Sequence, residues 1–138
     1  MEDKLRAMPN TYLHTCYRIG DIDNSVAFYE RLGFSEVRRM PIGDEAINVF
    51  MALEDGNPIL ELTYNHGVDS YEMGTGYNHI ALAVADLDGT LAGLAEQGIE
   101  PEKPPYRPGG RTTGSRIAFV RDPDQYRIEL VERADGSE

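Results

Sequence analysis

Internal repetition constrains the fold of this chain more than any other feature. Superposing His14 on His79 aligns Asp21-Ile22-Asp23 with Asp86-Leu87-Asp88, Val26-Ala27 with Leu91-Ala92, and Gly33-Phe34 with Gly98-Ile99, all without a gap. Superposing Glu61 on Glu129 aligns Pro58-Ile59-Leu60-Glu61-Leu62 with Tyr126-Arg127-Ile128-Glu129-Leu130 and lays Phe50-Met51 over Ala118-Phe119. Each copy opens on a histidine and closes on a glutamate, 47 residues apart in the first and 50 in the second. A supersecondary unit used twice accounts for this most simply. In a chain of 138 residues each copy is small for a core of its own, so the two are expected to share one compact body.

Within a copy the periodicities name the elements. Residues 13–19 alternate as a strand, with His14, Cys16 and Arg18 on one face and Leu13, Thr15, Tyr17 and Ile19 on the other. Asp23 or Asn24 is the expected N-cap of a helix carrying Val26, Ala27, Phe28 and Leu32, which Gly33 ends. Three strands follow at 36–40, 46–53 and 59–64, with Glu54-Asp55-Gly56-Asn57 as the turn between the last two. The second copy predicts a strand at 79–84, a helix at about 87–97 stopped by Gly98, and a hairpin joining 116–121 to 126–132 through Asp122-Pro123-Asp124-Gln125. The expected fold class is α+β, with two tandem βαβββ modules forming curved mixed sheets around a metal-binding cavity. The modules are assigned to residues 11–65 and 77–132, the Gly-rich stretch 66–76 is a linker, and residues 1–10 and 133–138 read as flexible tails of one compact domain.

Strand parity makes the histidines and glutamates informative. Ile59, Glu61, Thr63 and Asn65 share a face, as do Arg127, Glu129 and Val131, while Leu60, Leu62, Ile128 and Leu130 form apolar opposite faces suited to the helices. His14, Glu61, His79 and Glu129 are therefore expected on the concave, polar side. Two imidazoles and two carboxylates converging there make a charge-neutral site for a divalent transition metal with positions open to water or substrate. Taken singly, each of the four is as well read as a half-buried strand histidine or an edge carboxylate near an arginine; their symmetric placement favours metal. His66 lacks a counterpart in the second copy and is read as a surface or rim residue. A formal charge of −11 opposes nucleic-acid binding, and no apolar run approaches a membrane span. The single Cys16 cannot form an internal disulfide and fits a reducing compartment, so a soluble, cytoplasmic protein is expected.

Several stretches resemble bacterial glyoxalase I, lactoylglutathione lyase, of the vicinal-oxygen-chelate superfamily: Leu13-His14-Thr15, Arg18-Ile19-Gly20-Asp21, Leu60-Glu61-Leu62-Thr63-Tyr64-Asn65, Gly67-Val68-Asp69, Tyr77-Asn78-His79-Ile80-Ala81 and Phe119-Val120-Arg121-Asp122-Pro123-Asp124. The likeness covers about residues 11–132. It implies that His14, Glu61, His79 and Glu129 are metal ligands, with His14 and Glu61 from one chain of a homodimer and His79 and Glu129 from the other. It further implies isomerisation of the methylglyoxal–glutathione hemithioacetal to S-lactoylglutathione through an enediolate, with Glu129 as base, Glu61 as a ligand able to act on the other enantiomer, and Arg18 and Asn65 holding glutathione. A salt bridge to an acidic neighbour is the plainer role for Arg18. In the family the chain resembles, a short connection such as that between Glu61 and His79 goes with Ni²⁺ or Co²⁺; the ligand set also suits Zn²⁺ or Mn²⁺.

The chain departs from that pattern in three places. Asn78 stands where the family usually has Gly before its second histidine, and Gln125 where Asp-Pro-Asp is usually followed by Gly. The stretch 104–114 replaces a shorter loop that usually carries Lys; Arg107 or Arg111 could serve the lysine's carboxylate contact, and a surface loop is the plainer reading. The alternatives are an enzyme of the same superfamily acting on a different thiol adduct or as an acyl-thioester epimerase, an Fe(II) dioxygenase, for which one carboxylate is in excess, and a non-catalytic member binding a small molecule or metal.

Overall fold

The computed structural model describes residues 9–54 and 56–133; most of the two tails, and Asp55 of the first hairpin turn, lie outside the described residues. Two mixed sheets are each backed by a helix. In the first, β1 (Thr15–Ile19), β2 (Ser35–Ile42), β3 (Ala46–Ala52) and β4 (Leu60–Asn65) take the order β1-β4-β3-β2. β1 runs parallel to β4, and the other two pairings are antiparallel. In the second, β5 (Ile80–Val84), β6 (Ile117–Arg121) and β7 (Arg127–Glu132) take the order β5-β7-β6, with β5 parallel to β7. Helix α1 (Ile22–Arg31) follows β1, and α2 (Leu87–Ala95) follows β5, so each module begins as a strand–helix unit whose first strand pairs with its last.

Both helices start on the equivalent aspartate. Asp21, two or three residues ahead of the expected cap at Asp23 or Asn24, accepts a 2.9 Å hydrogen bond from the Asn24 N–H, and Asp86 accepts one of 3.0 Å from Gly89. Their ends are alike too. Gly33 and Gly98 take positive φ, and the N–H groups of Phe34 and Ile99 reach back to the carbonyls of Tyr29 and Leu94, each at 3.0 Å. A positive φ is sterically cheap only for glycine, so the matching Gly-aromatic or Gly-aliphatic pairs in the repeat mark both helix ends.

The second module departs from a full βαβββ pattern. The segment opposite β2 is reduced to a single bridge between Tyr106 and Ile117, flanked by a hydrogen bond from Glu102 N–H to Phe119 O at 2.9 Å. Pro101, Pro104, Pro105 and Pro108 remove the N–H donors a ladder would need there. The segment therefore follows β6 as an irregular edge.

Leu60, Leu62, Ile128 and Leu130 are buried under the helices with Phe28, Tyr29, Leu87 and Leu94 in one shared core. Each such side chain contributes about 1.5–3 kcal/mol by leaving water. The modules are also joined by polar contacts around the β6–β7 turn. Asp124 accepts from the Gly20 N–H at 2.9 Å and from Ser25 at 3.3 Å, Tyr29 donates to Asp122 at 2.6 Å, and Tyr126 donates to the Arg18 carbonyl at 2.8 Å. Tyr17 and Tyr126 stack across the junction with ring centroids 4.1 Å apart.

Candidate metal centre

Each histidine sits one residue ahead of the first strand of its module, opposite the start of the last strand. Thr15 pairs with Leu60 and Ile80 with Ile128, so Glu61 and Glu129 come one step later and share the histidine's face. His14 Nε2 is 3.1 Å from Glu61 Oε2, and His79 Nε2 is 3.2 Å from Glu129 Oε1. The carboxylates are the more sheltered members, with side chains 12 % and 19 % exposed against 37 % and 30 % for the imidazoles.

The four residues do not converge within one chain. Among the described residues no group of three or more His, Cys, Asp or Glu side chains is close enough to hold an ion; the result is two separate His–Glu couples. Parity puts each couple on the polar face of its own sheet. The donor chemistry of each couple fits a divalent metal. Nitrogen and oxygen ligands about 2.1 Å from one ion and at right angles to each other lie about 3.0 Å apart, close to the spacing in both couples. Each couple offers one nitrogen and one oxygen donor, two of the positions a divalent ion fills.

Beside Glu61 the first sheet curves around a cleft of 690 Å³ whose walls include Cys16, Arg18, Thr63, Asn65, Tyr71 and Tyr77. The Cys16 thiol lies 3.8 Å from Glu61 Oε1 and 3.2 Å from the Thr63 hydroxyl. Asn65 Nδ2 donates to Tyr71 at 2.9 Å, which orients its amide on the cleft wall. Arg18 is exposed and, among the described residues, has no carboxylate within ion-pair distance, contrary to the salt bridge that was its plainer expectation. Arg107 and Arg111 line neither this cleft nor either couple. Arg107 donates to the Gly114 carbonyl at 2.9 Å, bracing its own loop, and Arg111 is exposed. His66 is exposed, its ring edge against Tyr64.

Sequence reading missed the surroundings of the second couple. In the first module Phe50 is the strand partner of Glu61, and in the second Phe119 is the partner of Glu129, so the gapless superposition of Met51 on Phe119 is off by one residue. The turn between the hairpin strands is one residue shorter in the second copy. Arg38 lies over the Phe50 ring at 4.3 Å and Arg127 over the Phe119 ring at 3.7 Å. Arg127 also grips Glu102 through two hydrogen bonds of 2.8 Å, which hold that carboxyl below its ordinary range. The only sequence signal for this was alternation along β7, which put Arg127 on the face of Glu129.

Residues 11–130 match the Glyoxalase/Bleomycin resistance protein/Dioxygenase superfamily. A lactoylglutathione lyase of Haemophilus influenzae is 42% identical over 87% of this chain and 90% of its own length. A probable chloroplastic lactoylglutathione lyase of Arabidopsis thaliana is 41% identical over 88% of this chain, and the chain spans only 35% of that relative's length. The trypanothione-dependent glyoxalase I of Leishmania major superposes with a TM-score of 0.75 at 37% identity, over 90% of this chain and 87% of its own. The chain thus belongs to the glyoxalase superfamily and, within it, to the lactoylglutathione lyase family. Among the described residues no helix is long and apolar enough to cross a membrane.

Proposed function

We propose that this chain isomerises the hemithioacetal of methylglyoxal and glutathione to S-lactoylglutathione, at sites completed by a second copy of itself. The observation that carries the reading is the pair of equivalent His–Glu couples, with N–O distances of 3.1 and 3.2 Å, on twin modules. Each couple supplies two donors, and a two-fold dimer facing the first module of one chain with the second of another supplies four. His14, Glu61 and the partner's equivalents of His79 and Glu129 hold the metal in this reading. Ni²⁺ or Co²⁺ is the preferred ion, on the resemblance to family members with a short segment between the equivalents of Glu61 and His79. When bound, that ion supplies positive charge that offsets the negative charge an enediolate develops on its oxygens.

The chain's own groups do the rest. Glu129 removes the proton from the thiohemiacetal carbon and returns it to the neighbouring carbonyl carbon, so hydrogen moves between adjacent carbons and no oxidant or reductant is consumed. Glu61, on the equivalent strand, serves the opposite face of the substrate. Arg18, on the cleft wall with no carboxylate in ion-pair distance among the described residues, pairs with a glutathione carboxylate, and Asn65 meets a peptide group. Arg107 and Arg111 contribute only across the interface, since within one chain neither reaches the cleft. A different thiol is the second reading, favoured by the 104–114 segment and by the relative whose description names trypanothione. A cytoplasmic setting, where such thiols are abundant, completes the proposal.

The test follows thioester absorbance after methylglyoxal and glutathione are added to metal-stripped protein reloaded with Ni²⁺, Co²⁺ or Zn²⁺. Glu129→Gln is expected to lower turnover by at least about a hundredfold. Full turnover in Glu129→Gln would remove the assigned base, and absence of turnover with every metal would rule out the glutathione adduct as substrate.

A further inference from the structure

The two couples are equivalent in spacing but not in support. Ile59 stands across from His14, and among the described residues nothing accepts a hydrogen bond from His14 Nδ1. Arg127 stands across from His79, and two groups hold that imidazole beside its Glu129 partner. Phe119 presents a ring edge to it at 5.1 Å, Glu129 lies 3.2 Å from its Nε2, and Asn78 Oδ1 is hydrogen-bonded to its Nδ1.

The donor logic around Asn78 is closed. A guanidinium only donates, and Arg127 Nη1 lies 3.2 Å from the Asn78 side chain, so the Asn78 atom facing it must be the carbonyl oxygen. That same oxygen meets His79 Nδ1, which must therefore carry the proton, leaving the Nε2 lone pair for a ligand on the side of Glu129. Arg127 is itself fixed by two 2.8 Å bonds to Glu102 and by its stack on Phe119. An amide flip at Asn78 would set its NH₂ against the Arg127 guanidinium, which can only donate. Imidazole ligands are commonly oriented by an acceptor on their second nitrogen, and losing it typically costs about ten- to a hundredfold in metal affinity.

We propose that Asn78, locked by Arg127, is a positioning residue that fixes His79 for metal ligation through Nε2, making the second couple the pre-organised half of the site. This rests on the ligand reading given under Proposed function. Asn78 is exposed, so its truncation leaves the core untouched. The distinction from His14 follows from one side chain at a position where glycine would offer no acceptor.

The test uses the full chain loaded with Zn²⁺ and long-range ¹H–¹⁵N correlation of its histidines, alongside Ni²⁺ affinity by competition with a chromogenic chelator. In the wild type the His79 Nδ1–H should exchange with solvent more slowly than that of His14. Asn78→Ala and Asn78→Gly should abolish that protection and weaken Ni²⁺ binding by about ten- to a hundredfold. Asn78→Asp, which keeps an acceptor at the same place, should retain both. Unchanged exchange and affinity in Asn78→Ala would overturn the positioning role while leaving the ligand reading intact. A His79 Nε2 resonance that does not move on adding Zn²⁺ would overturn both.

Discussion

At the scale of single residues, two side chains in the β6–β7 turn are held under conditions that measurement can expose. Gln125 is at φ 80°, the one non-glycine among the described residues in the left-handed region. The turn has kept the geometry glycine would favour and accepts the strain of a side chain. A left-handed residue with a Cβ costs about 1–2 kcal/mol, partly offset by the greater entropy glycine loses on folding. Gln125→Gly is expected to raise stability by up to about 1 kcal/mol, read as a higher urea midpoint. Asp122 is buried, bonded by Tyr29 and by the N–H groups of Asp124 and Tyr126. Burial pushes its carboxyl from 3.8 up to about 6, the largest of several effects, with the hydrogen bonds working the other way. The folded chain then holds a proton that the unfolded chain releases near pH 4. The stability this contributes is present below pH 4 and is lost as pH rises to about 6, by about 3 kcal/mol. Asp122→Asn has no such proton, so wild-type stability relative to the variant should fall from pH 4 to 6 and then level off. A flat difference, measured by urea denaturation across that range, would contradict the assignment.

At the scale of elements, the junction between β1 and α1 carries more of the fold than its length suggests. Gly20 donates its N–H to Asp124 in the other module, and a Cβ at this position would lie 2.3 Å from the Asp69 carbonyl oxygen. The obstacle is backbone of the linker, which cannot swing away as a long side chain does. Gly20→Ala is expected to cost about 1–3 kcal/mol and to displace the 66–76 stretch that borders the cleft through Tyr71. Weakened substrate binding together with a lowered urea midpoint would match this, and an unaltered midpoint would contradict it. The contrast with Gly76, which is outside the left-handed region and where an added Cβ meets nothing within 4 Å, sets the size of the effect apart from glycine entropy alone.

At the scale of the whole molecule, the separation of the couples makes a prediction about pairs of chains. His14→Ala and His79→Ala should each be inactive alone, since every site in either homodimer lacks one imidazole. After subunit exchange, half of the dimers in an equal mixture combine the two variants, and in each of these one site is intact and the other doubly impaired. Recovery of about a quarter of wild-type activity is expected. No recovery after verified exchange would mean that each site is built within one chain, contrary to the dimeric reading.

Much of this was legible because duplication and period-two alternation are local properties of the chain. The equivalence of His14 with His79 and of Glu61 with Glu129, the burial of Leu60, Leu62, Ile128 and Leu130, and the glycine ends of both helices follow from which residue types can face a core or take a positive φ. The helix start was misread by two or three residues because Asp21, Asp23 and Asn24 are all good caps, and only backbone direction chooses among them. The reduction of the second module's edge strand was not anticipated in the two βαβββ modules, although the prolines that cause it stand in the sequence. Other features were not legible. That the four expected ligands form two couples and not one cluster depends on how two sheets are oriented by their shared core. That Asn78, Arg127, Glu102 and Phe119 brace one histidine and not the other depends on register, which was shifted by one residue in a hairpin turn. The sequence by itself determined which residues stand on the polar faces, because side-chain alternation needs only neighbours; the tertiary structure alone decided which of them meet, because distance across a sheet is set by packing far along the chain.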